Sequence, residues 1–196
     1  RSICERIDQY GLRFKAKKCF VCVEKVKFLG HVISKEGIST DPDKTKAVKD
    51  MPFPQDKDSM RSALGAFGYY RRFVPQYSKI AHPILQCLHK DFILPRDSIT
   101  GKAKWPTAVE DSFELLRLKL ITTPILGHPD WNVPFEIHTD ACNQGLGAVL
   151  SQRMDVDNKS KQTVIAYASR ALTPAELKYS TYEQECLAVL WASRLW

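Results

Sequence analysis

The stretch Phe135-Glu136-Ile137-His138-Thr139-Asp140, followed by Gly145-Leu146-Gly147-Ala148-Val149-Leu150-Ser151-Gln152, decides the fold class. Short runs of apolar and β-branched residues separated by a small polar cluster read as two strands, and Thr163 to Ser169 supplies a third. A helix from about Pro174 to Trp196 comes next. It is apolar over much of its circumference in its second half, the pattern of a helix meant for burial. Strands followed by a covering helix predict a mixed α/β unit over residues 132–196.

Working outward from that unit, Thr107-Ala108-Val109-Glu110 has the spacing of a capping box. It predicts a helix to about Ile121 with Val109, Phe113, Leu116 and Leu120 on one face. Phe92 to Trp105, with Pro95 and Gly101, reads as a mobile linker, so residues 92–131 form a linker and connecting helix. Before it, helices from about Asp43 to Lys49, from Asp56–Ser59 to Phe73 and from Tyr77 to Lys90 make a helical unit over residues 40–91. Pro52, Pro54 and Pro75 separate them. About fifty residues is too few to be comfortable alone, so this unit is expected to pack on something else. Thr40-Asp41-Pro42 is a helix start. In residues 1–39, a helix to Tyr10 closed by Gly11 precedes two or three short antiparallel strands between Leu12 and Ile33, with a turn at Glu36-Gly37. The class expected is thus α+β passing into α/β: hairpins, a small helical unit, then a mixed α/β fold.

The 196 residues are 44% hydrophobic and 26% charged, which excludes a disordered chain, and no apolar run approaches the length of a membrane span. Net charge is +7, unevenly spread. Residues 1–100 hold 19 Lys/Arg against 11 Asp/Glu, whereas the remaining 96 hold 10 against 11. A basic half suggests a polyanion-binding surface, although solubility alone explains the charge equally well. Six irregularly placed cysteines argue against a secreted disulfide scaffold and for reduced thiols in a cytosol-like compartment. Cys19 and Cys22 form one C-x-x-C without a second pair, and the five histidines have no metal-ligand spacing. The first residue is Arg1, and an excised piece of a longer chain is expected.

Two groups of residues carry chemistry. Asp140 closes an apolar strand and Glu185 lies beside Cys186, Leu187, Ala188 and Val189 in the last helix. Two such carboxylates suit Mg²⁺, which prefers oxygen ligands. Spacing alone favours a strand-end cap and a solvated helix face. Glu183 competes with Glu185, but two positions on a helix are about 200° apart, so both cannot face Asp140, and the apolar neighbours and deeper position of Glu185 favour it. In the basic half, Arg61, Gly65, Gly68 and Arg72 fall on one helical stripe, with Met60, Leu64, Phe67 and Tyr70 beside it. Two helical glycines cost roughly 1 kcal/mol each against alanine, which asks for a close approach by a nucleic-acid backbone or by another helix. Tyr69-Tyr70-Arg71-Arg72-Phe73 interleaves aromatics with cations, as nucleic-acid surfaces do.

These residues also resemble a known family. Gly11-Leu12 through Lys17-Lys18-Cys19, Phe28-Leu29-Gly30-His31-Val32-Ile33-Ser34 and Glu36-Gly37-Ile38 are similar to the palm end of reverse transcriptase in Pol polyproteins of gypsy-type LTR retrotransposons. Leu64-Gly65, Tyr69 through Pro75, Lys79-Ile80-Ala81 and Pro83-Ile84 resemble its thumb. Thr139-Asp140-Ala141, Gly145 through Gln152, Tyr167-Ala168-Ser169-Arg170 and Tyr179-Ser180 through Glu185 resemble the start of its ribonuclease H domain, incomplete here.

The resemblance implies that Phe28, Leu29 and Gly30 are the primer grip. It also implies that Arg61, Gly65 and Tyr69, with Gly68 and Arg72, contact nucleic acid, and that Asp140 and Glu185 are the first two of four ribonuclease H carboxylates, catalytic and metal-binding. The implied cofactor is Mg²⁺, two ions in the complete site, with Mn²⁺ as a substitute. The implied partners are template-primer duplex, RNA–DNA hybrid and the rest of the Pol polyprotein, in the cytoplasm or within virus-like particles. The parent would copy RNA into DNA and cleave the RNA of the hybrid. No Tyr-x-Asp-Asp occurs and Trp196 precedes the family's other two aspartates, so this segment alone is expected to catalyse little. Phe92 to Lys104 is longer than the family's usual link, and Cys142 stands where serine is common. The rival readings are a nonenzymatic nucleic-acid-binding product of a decayed element and a stand-alone metal-dependent nuclease.

Overall fold

The computed structural model describes residues 2–98, 103–156 and 159–196. Its elements are α1 (Ile3–Gln9), β1 (Lys25–Phe28), β2 (His31–Ser34), β3 (Gly37–Thr40), α2 (Pro42–Lys49), α3 (Lys57–Tyr69), α4 (Tyr77–Leu88), α5 (Thr107–Ile121), β4 (Phe135–Cys142), β5 (Gly145–Val156), β6 (Lys159–Ala171) and α6 (Thr181–Leu195). The strands form two antiparallel three-stranded sheets, β1-β2-β3 and β4-β5-β6. The fold is the expected mixed class.

Helical spacing in α5 places Val109, Phe113, Leu116 and Leu120 on one stripe, and all four are fully buried. They pack with Met60, Phe67, Phe73 and Ile84, and Val164 and Tyr167 of β6 join the same cluster. The helical unit and the second sheet therefore share one core, to which each fully buried side chain of this size contributes about 1.5–3 kcal/mol. Asp41 caps α2 by accepting from the Asp43 amide, with Pro42 in the first turn.

The two sheets are joined by the segment after α5. The Ile38 amide donates to the Leu126 carbonyl (2.8 Å), the Leu126 amide donates back (2.9 Å), and the Gly127 amide donates to the Val164 carbonyl (2.8 Å). This seam requires a glycine at position 37, where φ is +140° and a Cβ would lie 2.1 Å from the Leu126 oxygen. In the second sheet, Asp140, Gly147 and Ser169 are register partners on one face, and Ala141, Leu146 and Arg170 on the other. The start of α4 covers the first face, where the Ser78 amide donates to Ser169 Oγ at 2.9 Å. On the second face, Leu187, Ala188 and Trp191 of α6 pack with Ala141, Leu146 and Leu172.

Several sequence expectations are corrected. The strands begin only at Lys25; residues 12–24 hold a 3-10 turn at Ala16–Lys18, and Leu12, Phe14, Phe20, Val21 and Val23 are exposed, paired with no strand among the described residues. The capping box at Thr107 does not form, because Thr107 is already the first helical residue and Pro106 occupies the cap. In the linker stretch, Trp105 is buried and donates Nε1–H to the Pro54 carbonyl (2.9 Å), while Phe92 and Leu94 pack on the core. Residues 99–102 of that stretch lie outside the described residues. α3 ends at Tyr69, before a 3-10 turn at Arg71–Phe73. The last helix begins at Thr181 rather than near Pro174, because Ser180 and Glu183 form a capping box there. It buries only Gln184, Ala188 and Ala192, leaving Val189, Leu190 and Leu195 exposed.

Candidate functional site

Phe28-Leu29-Gly30-His31 forms a two-residue hairpin turn between β1 and β2. Leu29 (φ +46°) and Gly30 (φ +72°) are both left-handed, as in the I′ turns that match hairpin twist. The Phe28 and Leu29 side chains point outward, 59% and 73% exposed. The turn is held from behind. Tyr69 donates its hydroxyl to the Leu29 carbonyl, and Tyr70 donates to the Gly30 carbonyl at 2.7 Å. The Asp41 amide donates to that same Gly30 oxygen at 3.1 Å. The His31 ring lies among Tyr69, Tyr70 and Phe73, with centroids 5.5–5.6 Å away. Burial, and then the charge of Arg72, hold the His31 pKa below its ordinary value. Periodicity placed Tyr70 in an apolar stripe; the signal it missed is that a buried phenol needs a partner for its hydroxyl.

Arg61, Gly65 and Tyr69 lie on the exposed side of α3. A Cβ on Gly65 would meet nothing within 4 Å, so helix packing does not account for this glycine. Gly68 is half-buried, with Tyr77 Oη 3.8 Å from where its Cβ would be. Arg61 is turned toward its own helix, pairing with Asp58 (2.5 Å) and reaching the Leu88 carbonyl. Arg72 is not on α3. It lies in the following turn and, with Arg71, lines an open cleft of about 510 Å³ shared with Tyr167, Arg170, Trp191 and Trp196. The four-residue stripe is therefore broken at its last member, because the helix ends first.

Asp140, near the end of β4, is exposed, and its Oδ2 accepts a hydrogen bond from Gln76 Nε2 at 3.1 Å. Gln76 is the left-handed residue (φ +52°) that starts α4. Glu185 is half-buried on α6, which packs along β4. Glu183 is committed elsewhere: its carboxylate accepts from the Ser180 amide and hydroxyl, both at 2.8 Å, and these bonds lower its pKa. Strand alternation points Asp140 to the α4 face and Ala141 to the α6 face. Among the described residues, no three His, Cys, Asp or Glu side chains are grouped to hold a metal. Cys19 and Cys22 are exposed free thiols.

Residues 105–196 match the RNase H-like domain found in reverse transcriptase. The class is set by that match together with the β4-β5-β6 sheet and its helix: an RNase H-like domain of reverse transcriptases, preceded by a hairpin sheet and a helical unit. Over nearly its whole length the chain is a segment of the Pol polyprotein kind found in LTR retrotransposons. It is 39% identical over 190 residues to the retrovirus-related Pol polyprotein from transposon 297 of Drosophila melanogaster, covering 96% of this chain and 16% of that protein. It is 34% identical over 185 residues to the Pol polyprotein from transposon gypsy of the same organism, covering 93% and 17%. The chain thus spans less than a fifth of these curated relatives. The fold is shared with the foamy viral protease-reverse transcriptase solved in complex with RNA/DNA hybrid, at TM-score 0.69 and 22% identity, covering 90% of this chain and 22% of that one.

Proposed function

We propose that this chain is the part of a reverse transcriptase–ribonuclease H polyprotein that grips duplex nucleic acid and supplies the first two nuclease carboxylates. The parent copies RNA into DNA and cleaves the RNA of the hybrid; this segment binds and catalyses little. Gly65 is the observation that carries the reading. It is a glycine in the middle of an exposed helix face, with open space before it, between Arg61 and Tyr69. Among the described residues nothing uses its missing side chain, and a duplex backbone passing close to α3 would. The outward Phe28–Leu29 tip is the second contact, and the basic first half supplies the field that attracts phosphates.

Asp140 and Glu185 are both hard oxygen donors, but Asp140 faces α4 while α6 covers the other face of the sheet, so this structure does not bring the two carboxylates together as an ion site. Mg²⁺, or Mn²⁺ in its place, would activate water and steady the leaving oxygen only in an arrangement where the two carboxylates converge. Gln76 orients the Asp140 carboxylate.

The test is titration of the chain with a fluorescent RNA–DNA hybrid across a salt series. Affinity should fall with salt, with a logarithmic slope of about 0.9 per phosphate contacted. Binding unchanged between about 50 and about 200 mM salt would overturn the reading.

A further inference from the structure

We propose that Tyr69 and Tyr70 are positioning residues that lock the Leu29–Gly30 turn to α3, fixing the outward Phe28–Leu29 tip relative to the exposed stripe of that helix. The inference rests on the duplex-gripping reading and adds a residue-level device to it. A leucine in left-handed backbone is disfavoured by contact of its Cβ with the following carbonyl, so Leu29 holds that conformation only because its surroundings demand it. Two consecutive carbonyls of the turn receive two consecutive tyrosine hydroxyls from forty residues away. A short hairpin alone fixes its own register but not its angle to the rest of the molecule. Two bonds from one helix end, with the Asp41 amide on the same Gly30 oxygen, fix that angle. The turn itself is built close: a Cβ at Gly30 would stand 3.1 Å from Tyr70 Oη and 3.3 Å from Tyr69 Cε1. The tip and the Gly65 stripe thereby become one rigid surface spanning two elements.

The consequence is a division of labour within the two rings. Both rings pack against His31, and Tyr70 also belongs to the buried core, while their hydroxyls set the grip. Tyr→Phe separates these roles because it keeps the ring and removes only the hydroxyl. In the full chain, Tyr69→Phe/Tyr70→Phe should unfold at nearly the wild-type temperature. Amide exchange at residues 29–31 should become about fivefold faster or more, as expected when one or two hydrogen bonds of ordinary strength are lost. Hybrid affinity should fall about three- to tenfold, and Tyr70→Phe alone, which removes only a hydroxyl buried behind the turn, should lower it too with the salt slope unchanged. Tyr69→Phe alone, at a ring 55% exposed, should show the same changes at smaller size and poses no folding question.

Unchanged exchange at 29–31 in the double variant would overturn the lock. Faster exchange with unchanged hybrid affinity would overturn its role in the grip. A wild-type chain that binds no hybrid would instead sink the duplex-gripping reading, and the exchange measurement would still decide whether the lock exists.

Discussion

α5 and α6 are both fifteen residues long and similarly apolar, yet they sit in opposite surroundings. α5 is covered by α2, α3 and α4 and buries Val109, Phe113, Leu116 and Leu120 completely. α6 meets the sheet through Leu187, Ala188 and Trp191, while Val189, Leu190 and Leu195 face outward. The contrast separates the two halves of the proposed function. The half that grips is built on the larger of the two cores, with its turn tied to α3. The half that carries Asp140 and Glu185 rests on a thin second cluster, and its aspartate is fixed by one side-chain bond from Gln76.

The largest expected effect lies under α5. Phe113→Ala should destabilise by about 3–5 kcal/mol in urea unfolding, because a fully buried ring leaves a cavity. A cost under about 1 kcal/mol would erase the contrast with α6. Next comes the seam after α5. Gly37→Ala should cost about 1–3 kcal/mol, since its Cβ would collide with the Leu126 carbonyl in a backbone conformation alanine disfavours.

A smaller, pH-dependent effect belongs to the sheet that α6 covers. The Arg170 guanidinium, then the Thr173 amide, hold Glu176 down to about 2 from an ordinary 4.5. A depressed carboxylate contributes stability above its unfolded pKa and loses it as pH falls through the folded one, so this contribution should fade between about pH 4.5 and about pH 2. Glu176→Gln should flatten that acid limb in a thermal-melt series, with little change in the limb's shape contradicting the pairing. Smallest of all, Leu190→Ser on the exposed side of α6 should stay within about 0.5 kcal/mol of wild type by the same urea measurement. A larger loss would mean that this face is covered.

What the sequence made legible follows from range. The α5 stripe is a local period, so Val109, Phe113, Leu116 and Leu120 were readable without knowing their cover. The turn at Glu36-Gly37 and the cap at Asp41 are likewise local. Phe14, Phe20, Val21 and Val23 misled because composition indicates strand only where a partner strand exists, and none reaches them among the described residues. Thr107 misled by one position, since a capping box depends on which residue stays outside the helix. The tyrosine bonds to Leu29 and Gly30 span forty residues and end on main-chain oxygens, which carry no signature in sequence. Gln76 reaches Asp140 across sixty-four residues for the same reason of topology. The apolar neighbours of Glu185 favoured it over Glu183 in the sequence, and in the structure Ser180 claims Glu183.

The most direct test of the duplex-gripping account is the RNA–DNA hybrid affinity of Gly65→Ala. Open space at this exposed helical position means alanine should fit and stabilise the fold by about 1 kcal/mol. The account predicts that the more stable variant binds hybrid about tenfold more weakly, because its methyl group stands where the duplex backbone approaches. Equal or tighter binding by Gly65→Ala would contradict it.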